Sequence, residues 1–153
     1  MPSQKITYAG VVGAVAGIVG VFGIYAGWFA DGAGSLDGTV DVSGKLGLAF
    51  AIATFAFGGA YILLSDPGIR RAMGALMTIS AVLLTISTIW AVTRAADVAD
   101  GTSTGLLVSG MGGLLGICAG FLALQASMDA DETASGAFAP DAGDEVPAST
   151  SAD

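Results

Sequence analysis

Histidine is absent from this 153-residue chain, lysine and arginine together number only five, and there is a single cysteine. Charged residues are also missing from four apolar segments, residues 6–30, 46–64, 72–93 and 105–126. Each segment is long enough to cross a hydrocarbon core of about 30 Å as an α-helix. The sequence therefore predicts an all-α fold, an integral membrane bundle of four transmembrane helices.

The scarcity of reactive side chains argues against several classes of function. Without histidine, and with Cys118 alone, the usual zinc, haem and copper sites cannot be assembled, and we predict no metal or cofactor. We expect Cys118 to be a small packing residue, because a thiol among apolar groups is inert. Catalysis needs a positioned titratable or nucleophilic group, which the four segments do not offer, so we predict that the protein is not an enzyme.

The overall charge of −8 limits the partners that the chain can bind. Nucleic acid calls for clustered lysine and arginine, so we predict no nucleic-acid partner. Much of the acidity lies in residues 129–153, which hold seven acidic residues and no basic one. Such a segment buries too little apolar area to offset its loss of conformational entropy. We therefore divide the chain into a transmembrane domain, residues 1–128, and a disordered acidic C-terminal tail, residues 129–153.

The few cations set the expected orientation. Lysine and arginine favour the cytoplasmic side, and Arg70-Arg71 lies in a short connection between the second and third segments. We expect a multi-pass protein of the cell membrane with both termini in the cytoplasm and with residues 31–45 and 94–104 outside. Tryptophan concentrates at membrane interfaces and arginine can reach head groups from a helix end. The predicted topology and interface anchors are Lys5, Arg70, Arg71, Arg94, Trp28 and Trp90.

Glycine forms the most regular pattern in the chain. In the first segment, glycines separated by three or four residues fall on one side of a helix, and in the fourth segment they recur every four residues. Glycine lets helix backbones approach closely in lipid. Two uses remain open, packing within the bundle or docking of a partner. The residues are Gly10, Gly13, Gly17, Gly20, Gly23, Gly27, Gly112, Gly116 and Gly120.

Hydroxyl groups distinguish the third segment. Thr78 and Thr85 are seven residues apart, as are Ser80 and Ser87. Such hydroxyls bond to their own helix or to a neighbouring helix, and a polar pathway lined by them is the alternative. A coupled transporter is disfavoured, because ionisable residues within the membrane are the usual mark of that function.

By elimination, the sequence favours an interaction protein. We predict a small tetraspan accessory or scaffold subunit of a larger membrane complex, assembled through its glycine-rich helix faces. Its surroundings would be the lipid bilayer, and its partner another membrane protein or a second copy of the chain. The alternative is a passive channel or transporter component that forms by oligomerisation.

Overall fold

Four long helices make up most of the protein. The computed structural model describes residues 4–31, 34–98, 101–102 and 104–136. Its helices are α1 (Gln4–Tyr25), α2 (Val42–Leu63), α3 (Pro67–Val98) and α4 (Thr104–Gly136). Each of them is long and apolar enough to cross a membrane. The predicted all-α bundle with four membrane-spanning helices is confirmed.

The helices form a closed ring. α1 packs along α2 and α4, α3 packs along the same two helices, and the diagonal pairs barely touch. Neighbouring helices in this ring are antiparallel, as the short connections require. The start of α1 and the end of α4 therefore lie at the same end of the bundle, called the terminal end below.

A short connection joins α2 to α3 at the terminal end. The Asp66 carboxylate accepts a hydrogen bond of 2.9 Å from the backbone N–H of Ile69, which satisfies a free donor in the first turn of α3. The Arg70 guanidinium donates two bonds, 3.2 and 2.7 Å long, to the carbonyl oxygen of Leu64 just after α2. Arg70 thus fastens the end of one helix to the start of the next.

The opposite end of the bundle carries a small antiparallel sheet and is called the sheet end below. β1 (Phe29–Asp31) lies between β2 (Gly34–Leu36) and β3 (Gly101–Thr102). The sheet therefore joins the connection after α1 to the connection before α4. The sequence predicted a helix through residue 30 and turn-rich loops instead. α1 ends at Tyr25 because the chain turns at Gly27, whose φ of 98° favours glycine.

Two aspartates shape the approach to α2. Asp37 accepts a bond from the backbone N–H of Thr39 at the start of a 3-10 turn, Gly38–Val40. Asp41 is the N-cap of α2 and accepts bonds from both the backbone N–H and the hydroxyl of Ser43. The hydrogen bond from the Ser43 hydroxyl is the main reason that the pKa of Asp41 lies below its ordinary value of 3.8. The charge of Arg94 also lowers this pKa, whereas burial raises it.

Asp41 is expected to make stability depend on pH in the acid range. A lowered folded-state pKa means that Asp41 contributes stability above its ordinary value of 3.8 and loses it as the pH falls through the folded-state pKa. Asparagine caps a helix about as well but does not titrate. Asp41→Asn should therefore show a smaller loss of thermal stability in detergent between about pH 6 and pH 3 than the wild type. A variant with the wild-type pH profile would contradict this role.

Three helices are longer than predicted, and α3 and α4 exceed the prediction most. α3 begins at Pro67, where the fixed φ of proline suits a first helical turn, and it continues to Val98. α4 continues to Gly136, so helix extends past the predicted tail boundary at residue 128. Residues 137–153, the rest of the predicted disordered tail, lie outside the described residues.

Candidate partner-docking surface

The glycine face of α1 lies against the other helices of the same chain. All five glycines within the helix are buried. A Cβ atom placed on Gly17 would lie 2.5 Å from the backbone nitrogen of Phe55 and 2.7 Å from the carbonyl oxygen of Ala51. The backbones of α1 and α2 are therefore in direct contact at this point. The five residues are Gly10, Gly13, Gly17, Gly20 and Gly23.

The glycine face of α4 is used in the same way. A Cβ on Gly112 would lie 2.6 Å from the backbone nitrogen of Gly20 and 2.9 Å from the carbonyl oxygen of Ala16, both on α1. Gly116 faces Ala81 and Gly120 faces Thr78, both on α3. Packing within the bundle thus accounts for these glycines. In this arrangement they are not open to a second protein.

Gly27 differs from the other glycines of the predicted face. It lies beyond the end of α1 and not on the helix. A Cβ on Gly105 of α4 would contact its carbonyl oxygen, so the chain passes close to α4 where it turns towards β1. Its role is therefore the turn and this close approach.

The buried and half-buried hydroxyls of α3 are paired, whereas the buried hydroxyl of Ser109 in α4 has no hydrogen-bond partner. Thr78 and Thr85 donate 2.9 Å bonds to the carbonyl oxygens four residues earlier, Gly74 and Ala81. Ser80 contacts Thr54 of α2, with 2.9 Å between their hydroxyl oxygens. The remaining buried hydroxyls of α3 bond to Leu84. These groups are occupied by their own helix or a direct neighbour, so they do not line an open polar pathway.

Trp28 is placed differently from the interfacial position that the sequence indicated. It is fully buried (0% exposed) in a core cluster with Ile24 and Leu106 at the sheet end. Its ring lies against the glycines at positions 38 and 47, which leave room for it. Trp28 is thus a core residue that supports the connection over the bundle, and not a lipid-facing anchor.

Trp90 and Arg94 occupy positions that suit a membrane boundary. Trp90 is 40% exposed on α3, and the Arg94 guanidinium carbon lies 5.6 Å from its ring centroid. That distance allows a cation–π interaction. The charge of Arg94 also reaches Asp41 at the sheet end. Their role as interface anchors stays a prediction.

The other predicted anchors lie at the terminal end. Lys5 forms a 2.9 Å ion pair with Asp129 that links the start of α1 to α4, but both side chains are largely exposed. An exposed pair of this kind contributes about 0–1 kcal/mol. Arg70 is bonded to Leu64, as described above, and Arg71 is exposed beside it. The structure thus brings Lys5, Arg70 and Arg71 to one end and leaves Arg94 at the other.

A second core cluster fills the terminal half of the bundle. It is centred on Tyr61, which is fully buried and packs with Met77 and alanines of α1 and α4. The Tyr61 hydroxyl donates a 2.7 Å bond to the carbonyl oxygen of Ala123. This bond connects α2 to α4 across the ring. No pattern in the sequence indicated this contact.

The outer surface of α2 combines small residues with large ones. Ala49, Ile52, Ala56, Gly59 and Leu63 follow one another at intervals of three or four residues and face outward or are half-buried; they are called the α2 outer face below. A Cβ on Gly59 would meet nothing within 4 Å. Of the residues in the most apolar 18-residue stretch of α2, 28% are buried inside the bundle. The corresponding share is 39% for α3 and 44% for α1 and for α4.

Large side chains also stand on the outer surfaces of the neighbouring helices. On α1 and α4 they stand out at nearly every outward position. On the α2 outer face, Ala49, Ala56 and Gly59 are small, whereas Ile52 and Leu63 are large and exposed. The large exposed residues of α1 are Tyr8, Val11, Val15, Ile18, Phe22 and Tyr25, and those of α4 include Leu107, Met111, Leu114, Leu115, Phe121 and Leu122.

Cys118 and the acidic side chains are two further features that could form a site. Cys118 lies exposed on the outer surface of α4, so it is not the internal packing residue that the sequence indicated. Within the described residues, no group of three or more His, Cys, Asp or Glu side chains is placed to hold a metal ion.

Comparison with known protein families, with characterised proteins and with solved structures found no match.

Proposed function

We propose that this protein is an accessory or scaffold subunit of a larger membrane complex and that it contacts its partner through the α2 outer face. Gly59 carries this proposal. A helix loses about 1 kcal/mol of intrinsic propensity when glycine replaces alanine, and no contact within the chain uses the space beside Gly59. In lipid, small residues on a helix surface allow a second helix to approach closely.

The interior of the bundle supports a binding role over a transport role. The helix backbones are in contact at Gly17 and Gly112, and the hydroxyls of α3 are bonded to their own helix or to α2. The α2 outer face carries no hydroxyl, amide or charged side chain. Copies arranged around this face would enclose an apolar lining, which fits the channel alternative poorly.

Substitution on the α2 outer face is expected to separate assembly from folding. Gly59→Leu and Ala56→Leu add bulk where the chain itself makes no tight contact, so the thermal stability of the purified protein should stay near wild type. The assembly recovered in mild detergent should shrink to the mass of one chain. Native mass spectrometry and size-exclusion chromatography on the same preparations measure this change.

The matched control is Ala72→Leu, the same enlargement as Ala56→Leu at an exposed position of α3. It should leave both the stability and the assembly unchanged. A loss of assembly in all three variants would indicate a general effect of surface bulk. Wild-type assembly in the α2 variants would rule out this docking surface. A complex that contains only this chain would identify a second copy as the partner.

We further propose that the protein lies in the cell membrane with both termini in the cytoplasm, which the Arg70-Arg71 connection favours. In a Cys118→Ala background, cysteines at Ser35 and Ser103 should react with an impermeant thiol reagent on intact cells. Cysteines at Ser3 and Gly68 should react only after permeabilisation. The reverse pattern would invert the proposed orientation.

A further inference from the structure

We draw no further inference here: the strongest candidate, an apolar groove of about 550 Å³ between the outer sides of α3 and α4 lined by Ile89, Leu107, Gly110 and Met111, opens sideways at the depth of the membrane-spanning helices, and nothing in the structure shows what covers it.

Discussion

Trp28→Ala is expected to lower the free energy of unfolding by about 3–5 kcal/mol, the usual cost of truncating a buried tryptophan. The indole is fully buried and touches both the 3-10 turn and α2. Those surroundings cannot close over the space that it leaves, because Gly44 already lies against the backbone of Gly38. Thermal unfolding of the purified protein in mild detergent measures the loss.

Trp90→Ala is the matched control for this prediction. Trp90 is partly exposed on the outer surface, and its interaction with Arg94 is the main contact at stake. An exposed cation–π pair contributes about 0.5–1 kcal/mol, so the control should lose much less stability. Equal losses in the two variants would contradict the buried position of Trp28 and restore the interfacial role that the sequence suggested.

Gly112→Ala is expected to lower the free energy of unfolding by about 1–3 kcal/mol, although alanine is the better helix former. The added methyl group would lie 2.6 Å from the backbone nitrogen of Gly20 and 2.9 Å from the carbonyl oxygen of Ala16. A flexible side chain could move aside, but backbone cannot, so α1 and α4 must separate. Unfolding of the purified chain in detergent measures the cost.

Gly59→Ala adds the same methyl group to a glycine that has open space beside it. It should leave the stability of the isolated chain unchanged or raise it by up to about 1 kcal/mol. The two variants therefore compare one chemical change with and without a close contact. A Gly112→Ala variant as stable as the wild type would contradict the tight backbone contact between α1 and α4.

The four helices could be predicted because the membrane imposes a simple rule on sequence. A spanning segment must be apolar and must satisfy its own backbone groups, so the absence of charge locates it. The glycine spacing likewise placed Gly10 to Gly23 on a single helix face. The spacing did not specify which neighbour each glycine would meet, because α2, α3 and α4 all present small residues at compatible intervals.

The sheet end was harder to predict for a physical reason. Gly27, Trp28 and the residues after them are apolar enough to extend a spanning helix, and hydropathy cannot distinguish helix from extended chain. The helix ends because Gly27 has a positive φ and because β1 pairs with residues 101–102. This strand pairing is a contact between distant parts of the chain. The burial of Trp28 likewise depends on distant contacts, with Leu106 of α4 and Gly47 of α2.

The α2 outer face could have been found from the sequence, since Ala49, Ala56 and Gly59 are spaced along one side of a helix. The glycine patterns of α1 and α4 are more regular, and they indicate those two helices instead. Only the structure reveals that those patterns are occupied within the chain while Gly59 is not. The candidate site thus depended on knowing which small residues already have a neighbour.

The contact between α1 and α4 also has a consequence for biosynthesis. Gly20 meets Gly112, about 90 residues later in the chain. At a synthesis rate of roughly 5–20 residues per second, α1 enters the membrane about 5–20 s before the helix that covers this side of it. During that interval the first helix presents an uncovered glycine surface to the bilayer. Assembly factors that recognise newly inserted helices have this window in which to act, and ring closure by the last helix ends it.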